Sequence, residues 1–377
     1  MCAIAVAWVG SVVFAQAPPA ADPEITVLIK GLGGDSYALR ERATRNLARF
    51  GMAAQPWLVK ATESPDAEVR SRAAQVLSQI LEADFQARLS AFSADVEGKA
   101  DFKLPAWDRF AKMFGADRTA RLLFVDMQRA EPALLDALDS GSKSTSELFA
   151  ERCQAIQQNL QWNGSSSVQQ QASLGTVTTL LFVGSAGDIG IDDQVGAQLY
   201  NFIHQPDFQN AIRMGTQSAR LKKLLGMWIG KNNGAALAFQ NLMLAFHFEL
   251  PEGLDLAVKM LASDGGQPHV RQYALLAIGK FGNQKHLKAI EPFLKDLNPC
   301  ISQRINNKEV QTQVRDIALA VSVSLSKQSF KDYGFDQIRL NQQMLFEPGT
   351  VGFVDKSKRE ASIKKWQEWI VLHPAGP

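Results

Sequence analysis

One short pattern recurs four times along the chain and limits what it can fold into. An aliphatic residue, an Arg, two variable positions and an Ala appear as Leu39-Arg40-Glu41-Arg42-Ala43, Val69-Arg70-Ser71-Arg72-Ala73, Val270-Arg271-Gln272-Tyr273-Ala274 and Val314-Arg315-Asp316-Ile317-Ala318. Each opens a run of apolar residues spaced three and four apart. The second runs Val69, Ala73, Val76, Leu77, Ile80, Leu81, and the third Val270, Ala274, Ala277, Ile278, Phe281. That spacing is one face of an α-helix, and the small Ala in the second turn admits a neighbouring helix at close range. Ahead of the first two runs, Asp35-Ser36 and Ser64-Pro65-Asp66 supply N-cap oxygens, a Pro for the first helical position and early negative charge. Gly51 and Gly282 stand just past the apolar stripes, where a left-handed C-cap needs Gly. Shorter apolar stretches precede the long runs, at Ile25 to Leu32, Pro56 to Ala61 and Leu254 to Leu261. Short helix, turn, long helix is a helical hairpin, and a hairpin that cannot bury its face alone must stack on another.

The stretches DSYALRERATRNLARFG, PDAEVRSRAAQVL and HVRQYALLAIGKFG resemble short bacterial HEAT repeats, of the sort described as phycobilisome-lyase type. The resemblance covers residues 24–83 and 251–327. It implies an all-α fold, an α-solenoid of stacked helical hairpins in a HEAT/armadillo-like superhelix. It also implies a ladder between adjacent hairpins, formed by the Asp ahead of the long helix and the Arg in its first turn. Asp66 and Arg70 carry that spacing, Asp35 and Arg40 stand one residue wider, and the units at Arg271 and Arg315 have no Asp at the equivalent place. The framework residues so implied are Arg40, Asp66, Arg70, Arg271 and Arg315. The resemblance speaks to fold and is nearly silent on function, because such solenoids bind many unrelated things.

The N-terminus sets an expectation about compartment. Cys2 to Phe14 is apolar, and Ala15-Gln16-Ala17 follows as an A-x-A cleavage pattern. Residues 1–17 therefore read as a secretory signal peptide, though no Lys or Arg precedes the apolar run, and 18–23 as a Pro/Ala linker. The expected location is periplasmic or secreted. No other segment is apolar for long enough to span a bilayer.

Residues 84–250 lack the repeat signature and read as degenerate helical hairpins, with helices near Gln171 to Phe182, Asp193 to His204, Gln217 to Ile229 and Ala235 to Phe248. Asn298 to Glu309 and Phe346 to Val354 read as loops. Residues 328–377 read as a loop and a C-terminal capping helix, Lys358 to Leu372. In that helix Trp366 and Ile370 seal the last hairpin, while Lys364 and Lys365 stay solvated beside Trp369. The competing reading lays the same basic, Trp-bearing face on an anionic membrane surface.

Several chemistries are disfavoured. With 40 Lys and Arg mixed among 38 Asp and Glu, net charge is +2 and no basic stripe exists for nucleic acid. Gly184 to Gly190 follows the β-branched run Val177 to Val183, as in a dinucleotide-binding turn. Its first Gly–Gly gap is one residue too wide and no βαβ pattern surrounds it, so it reads as a loop between helices. No phosphate loop and no nucleophile elbow are present. His204, His247, His269, His286 and His373 form no pair at helical metal-ligand spacing, and His247, inside the apolar run Leu242 to Leu250, reads as a hydrogen-bonded core histidine. Cys153 and Cys300 read as buried or half-buried thiols, with a single disulfide as the alternative. No cofactor is implied. The expected function is a non-catalytic protein-interaction scaffold in the envelope or outside the cell. One alternative is a ligand-binding or enzymatic module with its site in 84–250; another is a self-assembling envelope structural protein.

Overall fold

The computed structural model describes residues 22–373, apart from 143, 163–171, 187–188, 233, 264–265 and 306–307. The expected signal peptide, the first residues of the linker, and Gly187 and Asp188 of the glycine cluster lie outside the described residues. The chain divides into two units, residues up to Phe102 and residues from Lys103 onward. The fold is all-α and of the α-solenoid kind, built of stacked helical hairpins. Among the described residues, strands are confined to two short antiparallel hairpins.

In the N-terminal unit, α1 (Pro23–Gly31) pairs with α2 (Tyr37–Phe50), and α3 (Gln55–Ala61) with α4 (Ala67–Ala94). The starts are dictated locally. Asp22, which with Pro23 ends the expected linker, caps α1 and Pro23 is its first residue; Ser36 caps α2; Asp66 caps α4 through the amides of Glu68 and Val69 at 2.8 and 3.3 Å. Pro65 thus precedes the cap instead of opening the helix. The apolar stripes converge on one core of Ile25, Leu32, Ala43, Leu47, Leu58, Val69, Ala73, Val76 and Ile80. Gly51 ends α2 with φ +56°, the left-handed region Gly favours. α4 continues well past residue 83, burying Leu89 and Phe92, and Phe92 meets Phe102 edge-on at 5.8 Å.

The second unit begins with α5 (Trp107–Phe114), α6 (Arg118–Ala130), α7 (Pro132–Ser140) and α8 (Thr145–Trp162). α9 (Leu174–Ala186) is the interior helix of this part. Val177 and Leu180 to Val183 are fully buried, and the helix packs between α6 and α12. The β-branched run is therefore helical and covered on all sides, with Thr178 and Thr179 buried among its apolar residues. At its start the backbone of α6 comes so close that a Cβ on Gly175 would stand 2.3 Å from the Asp126 carbonyl oxygen. α10 (Asp193–Ile203), α11 (Pro206–Met214), α12 (Ser218–Lys231), α13 (Ala235–Phe248), α14 (Gly253–Ala262) and α15 (Pro268–Phe281) follow. α15 ends differently from expectation: Gly282 has φ −92°, ψ −167°, an extended conformation with no left-handed cap.

Beyond α16 (Leu287–Ile290) the expected loop at 298–309 is instead a β-hairpin. β1 (Pro299–Ile305) runs antiparallel to β2 (Lys308–Gln313), with Ile301 opposite Thr312 and Gln303 opposite Val310. The segment is polar enough to resemble a loop, but it extends because β2 buries Val310 and Thr312 against the turn at Pro348–Val351. α17 (Val314–Leu325) is buried on all faces. The stretch expected as a loop at 346–354 is likewise packed. β3 (Leu340–Asn341) pairs with β4 (Leu345–Phe346), and Phe346, Val351 and Phe353 are buried. The last helix is α18 (Lys356–Leu372).

Candidate functional site

The recurrent arginines hold the hairpins to one another, by a route the family spacing did not foretell. Arg40 and Arg70 each donate to the carbonyl six residues back, Gly34 at 2.8 Å and Ser64 at 2.7 Å, and so tie their own loops. Three of the four also reach forward to an acid near the start of the next long helix. Arg40 meets Glu68 at 3.0 Å, Arg271 meets Asp296 at 2.7 Å and Arg315 meets Glu360 at 2.9 Å. Asp66 is not the partner of Arg70; its carboxylate caps α4. The pair expected to be missing after Arg271 is present, supplied by Asp296. Arg72 extends the first rung to Glu41 and Glu68 at 2.9 and 2.7 Å. These side chains are consumed by the framework.

The terminal helix is also anchored. Trp366 is buried, stacks on Trp369 at 5.2 Å and meets Tyr333 at 6.3 Å. Lys365 is not free: it donates to the Asp332 carbonyl at 2.8 Å and lies over the Tyr333 ring. Lys364 faces solvent near Glu368 at 3.9 Å. A buried ion pair, Arg359 with Asp316, joins α18 to α17. A cleft of about 250 Å³ lies between α18 and the segment carrying Leu287, Lys288, Glu291 and Leu294, with charges of both signs on its rim.

A second cavity, of about 260 Å³, gathers side chains that the framework leaves unused. α10 supplies Tyr200 and His204; α13 supplies Met243, Leu244, Phe246 and His247; α15 supplies Tyr273; the β3–β4 turn supplies Gln343 and Met344. The turn is set by Asn341, whose Oδ1 accepts from the amides of Gln343 and Met344 at 2.8 and 3.0 Å. Lys280 of α15 donates to the Gln342 carbonyl and ties the turn to α15.

The histidines have defined partners. His204 Nδ1 lies 2.8 Å from the Tyr200 carbonyl. The Arg213 guanidinium contacts His247 Nε2, and Gln209 Oε1 stands 3.3 Å from the same nitrogen. A guanidinium only donates, so neutral His247 accepts at Nε2 and carries its proton on Nδ1. Burial, then the charge of Arg213, then His204, push the His247 pKa below the ordinary histidine value. His247 is thus not a core histidine; it is half-buried at the mouth, with its ring 6.5 Å from that of His204. Among the described residues no cluster of three or more His, Cys, Asp or Glu is placed to hold a metal. Cys153 and Cys300 are unbridged.

A HEAT repeat family model matches residues 25–97. The N-terminal unit is HEAT-like. Its match spans α1 through α4, and repeats of this family are commonly protein-interaction scaffolds. No curated protein and no solved structure matches the chain. Sequence reasoning noted His204 and His247 singly but missed Tyr200, Arg213, Tyr273 and Met344. Their only shared signal is that four helices and a distant turn bring them together.

Proposed function

We propose that the chain is a non-catalytic interaction scaffold of the cell envelope or exterior, using stacked hairpins to present a partner-binding surface. The observation that carries this is the division of labour among polar side chains. Arg40, Arg271 and Arg315 and their acids are spent joining hairpins, and Tyr200, His204, His247 and Tyr273 line a cavity in which, among the described residues, no nucleophile is seated on a base. The apolar run Cys2 to Phe14 and the A-x-A pattern ending at Ala17 support export. The test compares capture from an envelope extract by the native chain and by a Tyr273→Ala/Met243→Asp variant of unchanged helicity. One stoichiometric partner retained by the first and lost by the second is expected; equal capture by both, or hydrolysis of a generic substrate by the native chain, defeats the reading. N-terminal sequencing of the exported form is expected to begin at Pro18.

A second reading is supported by one specific feature. Tyr200, His204, Met243 and His247 all fall within 84–250 and line a cavity with aromatic, thioether and imidazole walls. That is the composition of a ligand-binding site, so the same surface serves a binding module whose ligand is a small molecule or a single side chain of a partner.

A further inference from the structure

We infer that the cavity bounded by Tyr200, His204, His247 and Tyr273 is a carboxylate site, taking a small organic acid group carried on an aromatic or aliphatic body. The inference deepens the second reading above and rests on the cavity being a binding site.

Charge supplies the first argument. Among the described residues no Asp or Glu lines the cavity, whereas two imidazoles do, and Arg213, itself outside the lining, stands against one of them. Arg213 is exposed and has no carboxylate within ion-pair distance among the described residues; His247 is its recorded partner. A cation entering here meets Arg213 and the imidazoles. An anion meets a guanidinium able to bind it with two parallel N–H bonds. The walls supply the second argument. Leu244 and Phe246 are buried, and Met243, Met344 and the two tyrosine rings add apolar wall beside the polar Gln343. An inorganic anion would leave those walls wet, while an acid on an apolar body covers them. The cavity, at about 260 Å³, suits one ring or branched chain rather than a large cofactor.

The hydrogen bonds around His247 add a consequence. A carboxylate that takes the Arg213 guanidinium frees His247 Nε2, which already lies 3.3 Å from Gln209 Oε1. That oxygen only accepts, because the Gln209 amide nitrogen donates to the Ile203 carbonyl at 3.0 Å. A protonated His247 then donates to Gln209 and faces the bound anion. The other groups presented to it are His204 and Tyr200 from α10 and Tyr273 from α15; Lys280 is engaged by Glu249 and the Gln342 carbonyl. Carboxylate binding therefore draws a proton onto His247.

Isothermal titration of the full chain near neutral pH tests this, with phenylacetate, its neutral isostere phenylacetamide, and N-acetylphenylalanine, each in two buffers of different ionisation heat. Phenylacetate is expected to bind about tenfold or more tighter than phenylacetamide. Arg213→Met removes that preference and Arg213→Lys keeps part of it, with circular dichroism unchanged. Proton uptake accompanies binding to the native chain and disappears in His247→Gln. N-acetylphenylalanine binding more tightly than phenylacetate supports a carboxylate at a partner's chain end, and the reverse order supports a free acid. If acid and amide bind alike and Arg213→Met changes neither, the carboxylate assignment is overturned while the cavity remains a binding site. If neither binds, both fall.

Discussion

The ion pair between Asp316 and Arg359 offers the most direct test of how the last helix is held. Arg359 Nε and Nη2 reach the two Asp316 oxygens at 2.8 and 3.1 Å, and the side chains are 8% and 0% exposed. Arg359 Nη2 also donates to the Gln311 carbonyl at 2.8 Å, and Asp316 Oδ2 accepts from the Gln313 amide at 2.9 Å. Asp316→Ala leaves a buried guanidinium with one carbonyl for company, and breaking one side of a buried pair costs about 3–5 kcal/mol. Replacing both, Asp316→Leu with Arg359→Met, leaves no orphan charge and is expected to recover most of that loss. Urea denaturation followed by tryptophan fluorescence reads both, since Trp366 and Trp369 lie on α18.

The two single variants should also differ with pH. Burial pushes the Asp316 pKa up, and Gln313 and Arg359 pull it back. Arg359→Met removes the guanidinium, so the folded-state pKa stands further above the unfolded value. A carboxyl raised in the folded state has its stabilising contribution in full below the unfolded pKa and loses it as pH rises through the folded one. The cost of Arg359→Met therefore shrinks as pH falls toward about 4, near the ordinary Asp value. The cost of Asp316→Ala has no such recovery, because Arg does not titrate there. A loss below about 1 kcal/mol for Asp316→Ala, or single costs that simply add in the double variant, would refute the claim that this pair clamps α18.

Three further outcomes follow from particular contacts. Gly175→Ala forces a Cβ against the α6 backbone at Asp126 and is expected to cost about 1–3 kcal/mol in chemical denaturation; an unchanged midpoint would mean the helices are not in close contact. His247 is held neutral by burial and Arg213, so its folded pKa lies below the unfolded one. Its contribution then falls as pH drops below about 6.5, and His247→Gln should flatten that limb of the stability profile, with the imidazole titration read by NMR. Burial pushes the thiols of Cys153 and Cys300 up to about 12, so in a Cys2→Ser background both should react slowly with a thiol reagent until urea unfolds the chain; fast native-state labelling contradicts the burial of Cys153.

Where the sequence was legible, the reason is local. α13 spans Ala235–Phe248, as its apolar run foretold, and α10 spans Asp193–Ile203 behind the Asp192 cap. The short α11 was not seen, because Phe208 and Ile212 are its only buried residues and Pro206 and Gly215 read as punctuation. The β-hairpin was missed because, among its described side chains, Val310 is the one large apolar residue it fully buries, so alternation carried little signal. The cavity lay beyond sequence reasoning altogether. Its residues come from four separated stretches, and Met344 joins them from the β3–β4 turn, which Asn341 bends and Lys280 ties to α15.

The hairpin also explains why one rung of the ladder was hidden. Asp66 accepts from the amide two residues on, Glu68, and its carbonyl accepts from Arg70 N at 3.0 Å. Asp296 repeats both contacts, through the Asn298 amide at 3.0 Å and Arg315 N at 3.1 Å. Between Asn298 and Val314 the chain leaves as β1 and returns as β2, closed by Val314 N donating to the Asn298 carbonyl at 3.0 Å. Excising 299–313 gives Asp296-Leu297-Asn298-Val314-Arg315, the same offset as Asp66-Ala67-Glu68-Val69-Arg70. The hairpin is spliced into a repeat whose geometry it leaves intact. A variant lacking 299–313 should therefore fold, with Asn298, a favoured cap residue, ahead of α17. It loses the burial of Val310 and the Gln311 and Gln313 contacts to Arg359 and Arg315, together about 2–5 kcal/mol. Circular dichroism with urea is expected to show native helicity and a cooperative but earlier transition. A variant that is helical yet melts without cooperativity would show that the hairpin is part of the repeat's core.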